Sequence, residues 1–165
     1  MMRSPRHSRS DPRRAFSLLE VVAVVLILAI AVPPTVAVLQ QRTTDRVNAV
    51  NTARATVLAQ GVLENVLADA QSAATGQGYA AFANTNTYLN TAVTGLRARL
   101  TNLTQPYQNL GMTWDVSFSV PVSSTGTATG NSAQDLFRIS TVSVQAPDAS
   151  GGTLTVSISC LVTDL

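Results

Sequence analysis

The sequence predicts an α+β fold, in which a long N-terminal helix packs on a small antiparallel three-stranded C-terminal sheet. Three patterns support this prediction: an uncharged apolar stretch near the N-terminus, apolar residues at three- and four-residue steps after it, and apolar residues at every second position in the last third. A chain of 165 residues makes at most one globular domain with appendages. We predict a cytoplasmic leader over residues 1–15, a transmembrane helix over 16–39 and an extracytoplasmic head over 40–165.

Composition and charge indicate that part of the chain lies in a membrane. Hydrophobic residues make up 45% of the sequence and charged residues 12%, whereas soluble domains carry about 25% charged residues. Five arginines and one aspartate lie in the first 15 residues, while the other 150 carry six arginines and eight carboxylates. A short Arg-rich flank beside an apolar segment stays cytoplasmic. The basic cluster is therefore a topology signal, and we expect no nucleic-acid partner.

The apolar segment, residues 21–39, has the length of a membrane span. Its nineteen residues carry no charge and would form about 28 Å of helix, close to the ~30 Å hydrocarbon core. Pro33 and Pro34 interrupt it. Since proline removes a backbone donor from a helix, we expect a kink or a short unwound stretch near Val32 to Thr35.

Three processing signals compete for the residues before and within this segment. An ordinary secretory signal would be cut after Ala29-Ile30-Ala31. A twin-arginine signal would use Arg13-Arg14. Both leave Glu20 unexplained. The third possibility is a signal that is cut on the cytoplasmic side, before the apolar stretch.

The run Ala15-Phe16-Ser17-Leu18-Leu19-Glu20 closely resembles this third signal, the prepilin signal shared by type IV pilins and the pseudopilins of type II secretion systems. The resemblance implies cleavage between Ala15 and Phe16 by prepilin peptidase, N-methylation of Phe16, and pairing of Glu20 with the Phe amine of a neighbouring subunit during filament assembly. The family usually has Gly where this chain has Ala15. The resemblance covers the chain only to about Leu39.

The resemblance also implies a location and partners. The protein would be a single-pass subunit of the bacterial inner membrane, with its N-terminus in the cytoplasm and its head in the periplasm or outside the cell. Its partners would be prepilin peptidase, other pilin or pseudopilin subunits, an inner-membrane assembly platform and the lipid bilayer. Many type IV pilins have a C-terminal disulfide pair, which a chain with one cysteine cannot form, and this favours the secretion pseudopilins.

Physical chemistry independently explains why an acidic residue would lie at position 20. A carboxylate at the mouth of a membrane helix costs free energy unless it has a partner. Cleavage before Phe16 would create an α-amino cation about 6 Å away along the helix, and the backbone dipole favours negative charge in the first turn. The alternative is that Glu20 is only the last polar residue before a signal anchor.

The middle of the chain predicts further helix. The apolar stripe after residue 39 indicates that the first helix continues to about Ser72 and packs on the sheet; its members are Val47, Val50, Val57, Leu58, Val62 and Val66. A loop is predicted from Gly76 to about Asn90. A short amphipathic helix should follow and close before Pro106, with Arg97 and Arg99 solvated; its apolar positions are Leu89, Val93, Leu96, Leu100 and Leu103.

Three period-two segments predict a meander of strands. The first runs from Met112 to Val122, the second begins at Phe137, and the third covers residues 154–162. In the second strand the apolar parity shifts at Ser140-Thr141, which suggests a bulge or twist. Cys160 lies on the apolar side of the third strand and should be a plain buried thiol.

The residue inventory argues against an enzyme. Without its leader the chain would contain no His and no Lys, so the usual catalytic triads, dyads and Schiff bases cannot form. We expect no metal and no cofactor. Asp135 and Asp148 are the only candidate calcium ligands, and solvated turn aspartates are the favoured interpretation. The expected function is a structural filament subunit; the alternative is a signal-anchored extracytoplasmic binding domain that does not polymerise.

Overall fold

A computed structural model describes residues 17–131 and 133–163. The contacts divide the chain into two compact units, one ending at Arg42 and one beginning at Thr43. The first long helix, α1, runs from Leu18 to Ala70. Shorter elements follow: a 3-10 helix (Tyr79–Ala83), α2 (Thr85–Asn90), α3 (Leu96–Arg99), α4 (Thr101–Gln108), β1 (Thr113–Phe118), β2 (Phe137–Pro147) and β3 (Thr153–Thr163). The strands form one antiparallel sheet in the order β1-β2-β3, and the predicted α+β fold is confirmed.

Helix α1 is unbroken at its two prolines. Pro33 and Pro34 both lie inside it, so the predicted unwound stretch is wrong. The prolines remove only the two N–H groups that would bond to the carbonyls of Ala29 and Ile30. Immediately afterwards the Thr35 hydroxyl donates to the carbonyl of Ala31 at 2.6 Å, which adds a hydrogen bond where the ladder is weakened.

The C-terminal part of α1 supplies one wall of the core. Its buried apolar residues are Ala55, Leu58, Ala59, Val62, Val66 and Ala70. The predicted stripe is therefore correct at Leu58, Val62 and Val66, but Val47, Val50 and Val57 are exposed. Val57 lies two residues from both Ala55 and Ala59, which places it on the opposite side of the helix.

N-terminal to these buried residues, α1 contacts the sheet through polar side chains and not through the predicted Val47 and Val50. The Asn51 side chain donates to the carbonyl of Pro147 at 2.8 Å, and the Ala149 N–H donates to Asn48 Oδ1 at 2.9 Å. Pro147 is the last residue of β2, and Ala149 lies in the β2–β3 turn. Two amides therefore fix this part of α1 against the turn, and Val47 and Val50 point elsewhere.

The segment predicted as a loop contains two short helices. Asn84 caps α2, since its Oδ1 accepts the Thr87 N–H at 3.1 Å. Phe82 and Tyr88 are buried in this polar-looking stretch. The Phe82 ring stacks on Phe118 with 4.3 Å between centroids and meets Tyr88 edge-on at 5.0 Å. The loop prediction missed these aromatics, which order the segment by packing.

The single amphipathic helix predicted before Pro106 is also wrong. The chain leaves the helical state between α2 and α3, where Val93 is 81% exposed, and Pro106 lies inside α4. The break coincides with Gly95, which is buried against the backbone. A Cβ at Gly95 would lie 2.5 Å from the Thr91 carbonyl oxygen and 2.8 Å from that of Leu89.

Gly95→Ala should destabilise the fold by about 2–3 kcal/mol, because the added methyl meets backbone atoms that cannot move aside cheaply. Gly61→Ala is the matched control: its Cβ would meet only the Leu103 side chain at 3.5 Å, and alanine in a helix interior is favoured by about 0.5–1 kcal/mol. Denaturant unfolding of the full chain in detergent measures both changes. Equal effects from the two substitutions would contradict the steric explanation.

The sheet is regular over the whole of β2. Each residue from Phe137 to Pro147 has a partner between Thr163 and Thr153, so the predicted bulge is wrong. Ser140 is buried on the core face. The apolar pattern shifts because a serine fills this inward position, and no extra residue is inserted in the strand. The side chains of Phe137 and Ile139 consequently lie on the opposite face from Val142 and Val144.

The first strand ends earlier than predicted. β1 stops at Phe118, and Val120 is 66% exposed. Val122 then pairs with Phe137 in an isolated bridge. Cys160 is half-buried rather than buried, and burial raises the pKa of its thiol. Residues facing the core from β1 and β2 are Trp114, Val116, Ser140, Val142, Val144 and Ala146.

Candidate functional site

The N-terminal turn of α1 holds Glu20, the described residue of the candidate assembly site. Ser17 immediately precedes the helix, and the Glu20 N–H donates to the Ser17 hydroxyl at 3.2 Å and to its carbonyl at 3.0 Å. Ser17 thus caps the helix at the spacing of a capping box, with the acidic residue three positions later. The Glu20 side chain itself is exposed, so its carboxylate is accessible to a partner.

The other predicted site residues, Ala15 and Phe16, lie outside the described residues. Ala15 and Phe16 were predicted to flank the cleaved bond, with the methylated amine on Phe16. The capping role of Ser17 was missed, although the pattern Ser-x-x-Glu before an apolar run is a signal that could have revealed it.

The apolar segment is exposed around its whole circumference. Every residue from 21 to 39 is exposed, and nineteen successive helical positions point in all directions about the axis. Glu20 precedes this surface and Arg42 follows it, with no charged residue between them. Among the described residues, α1 is the one helix long and apolar enough to cross a membrane.

A second polar cluster, which sequence reasoning missed, joins the end of α1 to α2 and α3. Asp69 is buried; it accepts hydrogen bonds from the Tyr88 hydroxyl at 2.6 Å and from Arg99 Nη1 at 2.8 Å, and Arg99 Nη2 also contacts it. Arg99 Nε donates to the Thr94 carbonyl at 3.0 Å. The prediction that Arg99 is solvated is therefore wrong.

The electrostatics of this cluster indicate a structural role. Burial, reinforced by the hydrogen bond to Asp69, raises the pKa of Tyr88 far above its usual range. The hydrogen bond to Asp69 also raises the pKa of Arg99. Tyr88 is thus held neutral and Arg99 charged, so neither is poised to exchange a proton near neutral pH. The cluster fixes three helices to one another.

Arg97 also has a partner that the sequence did not suggest. Its Nη2 lies 2.8 Å from Asp115 Oδ1, and its guanidinium sits 4.9 Å from the centroid of the Trp114 ring. Both charged side chains remain exposed, so the prediction of solvation holds for this arginine.

The two aspartates considered for calcium organise their own loops. The Asp135 carboxylate accepts from the backbone N–H groups of Thr129 and Gly130 and from the Thr129 hydroxyl, at 2.9–3.1 Å. Desolvation raises the pKa of Asp135, but these hydrogen bonds outweigh it and lower the pKa overall. Asp148 contacts the Ser150 hydroxyl in the β2–β3 turn. Within residues 17–131 and 133–163, no group of three or more His, Cys, Asp or Glu could hold a metal ion.

Comparisons with protein-family models, with curated proteins and with solved structures give no match.

Proposed function

We propose that this protein is a pilin-like structural subunit of a type II secretion pseudopilus or a type IV pilus-like filament. The observation that carries the proposal is an accessible carboxylate, Glu20, in the first turn of a helix whose next nineteen residues are uncharged and exposed on every side. The Ala15-Phe16 pair stands directly before this turn in the sequence. This combination is typical of a prepilin signal and is unnecessary for a simple anchor.

The proposed maturation begins with cleavage by prepilin peptidase between Ala15 and Phe16. Hydrolysis of that peptide bond releases the leader carboxylate and leaves a free α-amino group on Phe16, which the same peptidase then N-methylates. The amine lies four residues before Glu20, a rise of about 6 Å along a helix. Its positive charge can balance the Glu20 carboxylate, within one subunit or between neighbours.

The apolar segment would serve two environments in turn. In the inner membrane it crosses the hydrocarbon core as a single span, with the head outside the cytoplasm. During assembly on the inner-membrane platform it leaves the lipid and packs against the apolar segments of other subunits. Because the same surface is covered in both states, its exposure in an isolated subunit is expected.

Mass spectrometry of the N-terminal peptide tests the processing step. The protein is extracted from membranes of its native host, and we expect a peptide that begins with N-methylated Phe16. A parallel sample from a Phe16→Ala variant, which retains Ala15 and Glu20, should lose the methyl-phenylalanine signature. An N-terminus at Val32, or an intact Met1 leader, would overturn the proposal.

One observation favours the alternative, a signal-anchored binding domain that does not polymerise. The Ser17 hydroxyl caps α1 by accepting the Glu20 backbone N–H, and the Ser-x-x-Glu spacing would let the Glu20 carboxylate serve the same cap. In that case the carboxylate would be needed only to start α1. Assembly assays on Glu20 variants separate the two functions, because a cap contributes to helix stability and not to contacts between subunits.

A further inference from the structure

Arg138 of β2 is a cation without a counterion in the described part of the chain. Its side chain is half-buried and lies on the core face of the sheet. Both ion pairs among the described residues are formed by other arginines, Arg97 and Arg99. A charge that is taken partly out of water without an opposite charge costs free energy. The Arg138 guanidinium therefore favours a negatively charged ligand.

The guanidinium of Arg138 has one edge in use and one edge free. Its Nη1 donates to the Ser119 carbonyl at 2.9 Å. Its Nε is shielded from solvent and has no hydrogen-bond partner among the described residues. Nε and Nη2 together form the side edge of a guanidinium, whose two parallel N–H groups match the two oxygens of a carboxylate. The free edge thus has the geometry that binds a carboxylate through two hydrogen bonds.

Tyr79 places a second unpaired donor beside this arginine. The Arg138 guanidinium carbon lies 5.7 Å from the centroid of the Tyr79 ring. The Tyr79 hydroxyl is also shielded from solvent, and it too has no hydrogen-bond partner among the described residues. Buried polar groups nearly always have a partner, so two unpaired donors on neighbouring side chains need an explanation. One acceptor that reaches both side chains would satisfy them together.

An open groove gives a ligand access to Tyr79. The groove has a volume of about 470 Å³ and is lined by residues 70–73, at the C-terminal end of α1, and by residues 78–80. These residues include no acidic side chain, so the groove itself does not repel an anion. The carboxylate next to it in the sequence, Asp69, is already bound by Arg99. The negative charge nearest the groove along the chain is therefore balanced.

We propose that Arg138 and Tyr79 form a carboxylate-binding site. The Arg138 Nε and Nη2 groups donate to the two carboxylate oxygens. The ligand enters from the groove by displacing the half-buried Tyr79 side chain, whose hydroxyl then donates to one of the same oxygens. A carboxylate fits better than a phosphate, because its single negative charge balances one guanidinium and leaves no excess charge in a half-buried site. The inference concerns the head alone and does not depend on the filament role.

Nuclear magnetic resonance of the full chain in detergent micelles reports on the site directly. The Arg138 Nε–H signal is identified by its absence in Arg138→Lys, and it is followed while sodium acetate replaces sodium chloride at constant ionic strength and pH. We expect a saturable shift of this signal with acetate and no shift with acetamide, an uncharged molecule of similar shape. The matched control is the Nε–H signal of Arg54, an exposed arginine of α1, which should not show a saturable shift.

Substitutions separate the donors and the source of the acid. Tyr79→Phe should raise the dissociation constant of acetate about tenfold, the effect of losing one hydrogen bond to a charged group. Acetate should also raise the denaturant midpoint of the unsubstituted protein and of Arg54→Gln, but not that of Arg138→Gln. If the acid is Asp164 of this chain, which lies outside the described residues, acetate should act only on Asp164→Asn.

Three results would overturn the proposal. The first is no response of the Arg138 signal to acetate in either the unsubstituted protein or Asp164→Asn. The second is an equal response to acetamide, or an equal response of Arg54, which would indicate a general effect of the solvent. The third is an unchanged dissociation constant in Tyr79→Phe, which would remove Tyr79 from the site.

Discussion

Glu20→Ala should abolish filament assembly while leaving the head folded. The substitution removes the only acidic side chain between the leader and Asp45, so the Phe16 amine would lose its partner in an apolar environment where unpaired charge is costly. We expect at least a tenfold loss of assembled filament or of secretion, equivalent to about 1.4 kcal/mol or more. Shear preparation and immunoblotting of surface filaments, or assay of secreted protein, measures the loss.

Glu64→Ala is the matched control for this experiment. Glu64 is also an exposed acidic residue of α1, but it lies in the unit that begins at Thr43. It should assemble normally, and both variants should reach the membrane in equal amounts. Normal assembly of Glu20→Ala would contradict the filament function and favour the anchored binding domain.

Asp69→Ala should lower the free energy of unfolding by about 3 kcal/mol. Removing one member of a buried ion pair leaves the other uncompensated, which typically costs about 3–5 kcal/mol, and Arg99 keeps partial access to water because 26% of its side chain is exposed. The Tyr88 hydroxyl would lose its acceptor as well. Denaturant unfolding of the full chain in detergent, followed by circular dichroism, gives the change.

An exposed ion pair provides the comparison. Asp115→Ala breaks the contact with Arg97, whose side chain is 42% exposed, and should cost no more than about 1 kcal/mol. If Asp69→Ala costs as little as Asp115→Ala, the cluster does not hold the three helices together.

The same cluster predicts how stability depends on pH. The pKa of Tyr88 is raised in the folded protein above its ordinary value of about 10, so above pH 10 the folded state binds more protons than the unfolded state. The free energy of unfolding should therefore fall as pH rises beyond about 10. Tyr88→Phe should make this decline shallower, and an unchanged slope would contradict the assignment to Tyr88.

Hydrophobic patterns that extend over a whole helix or strand predicted the fold well, because burial imposes them directly. Apolar and polar residues alternate in the strands because one face of the sheet meets the core. The first part of α1 is predicted by its long uncharged run, which helices of soluble domains do not need. Bounds and breaks were less predictable. Gly95 is in close contact with backbone atoms just before α3 begins, and Phe82 orders a polar segment partly by stacking on Phe118, which is distant in sequence.

The buried ion pair of Asp69 was partly predictable from the sequence. It lies three residues after Val66, on the buried side of α1, where an acidic residue must have a partner. That reasoning would have predicted a buried cation but could not have chosen Arg99 over Arg97, since the choice depends on how α3 is placed. At the candidate site, the motif predicted Glu20, and the Ser-x-x-Glu spacing could also have predicted the Ser17 cap that the geometry shows.

The outer face of the sheet is defined by hydroxyl groups and has a chemical consequence. On β2 and β3 this face carries serine, threonine, glutamine and a few apolar side chains, with no ionisable group. Hydroxyls of Ser and Thr neither titrate in the physiological range nor attract counterions. Contacts made by the β2 and β3 part of this face, away from Asp115 on β1, should therefore depend little on salt concentration or acidity, unlike contacts that depend on steering by charge.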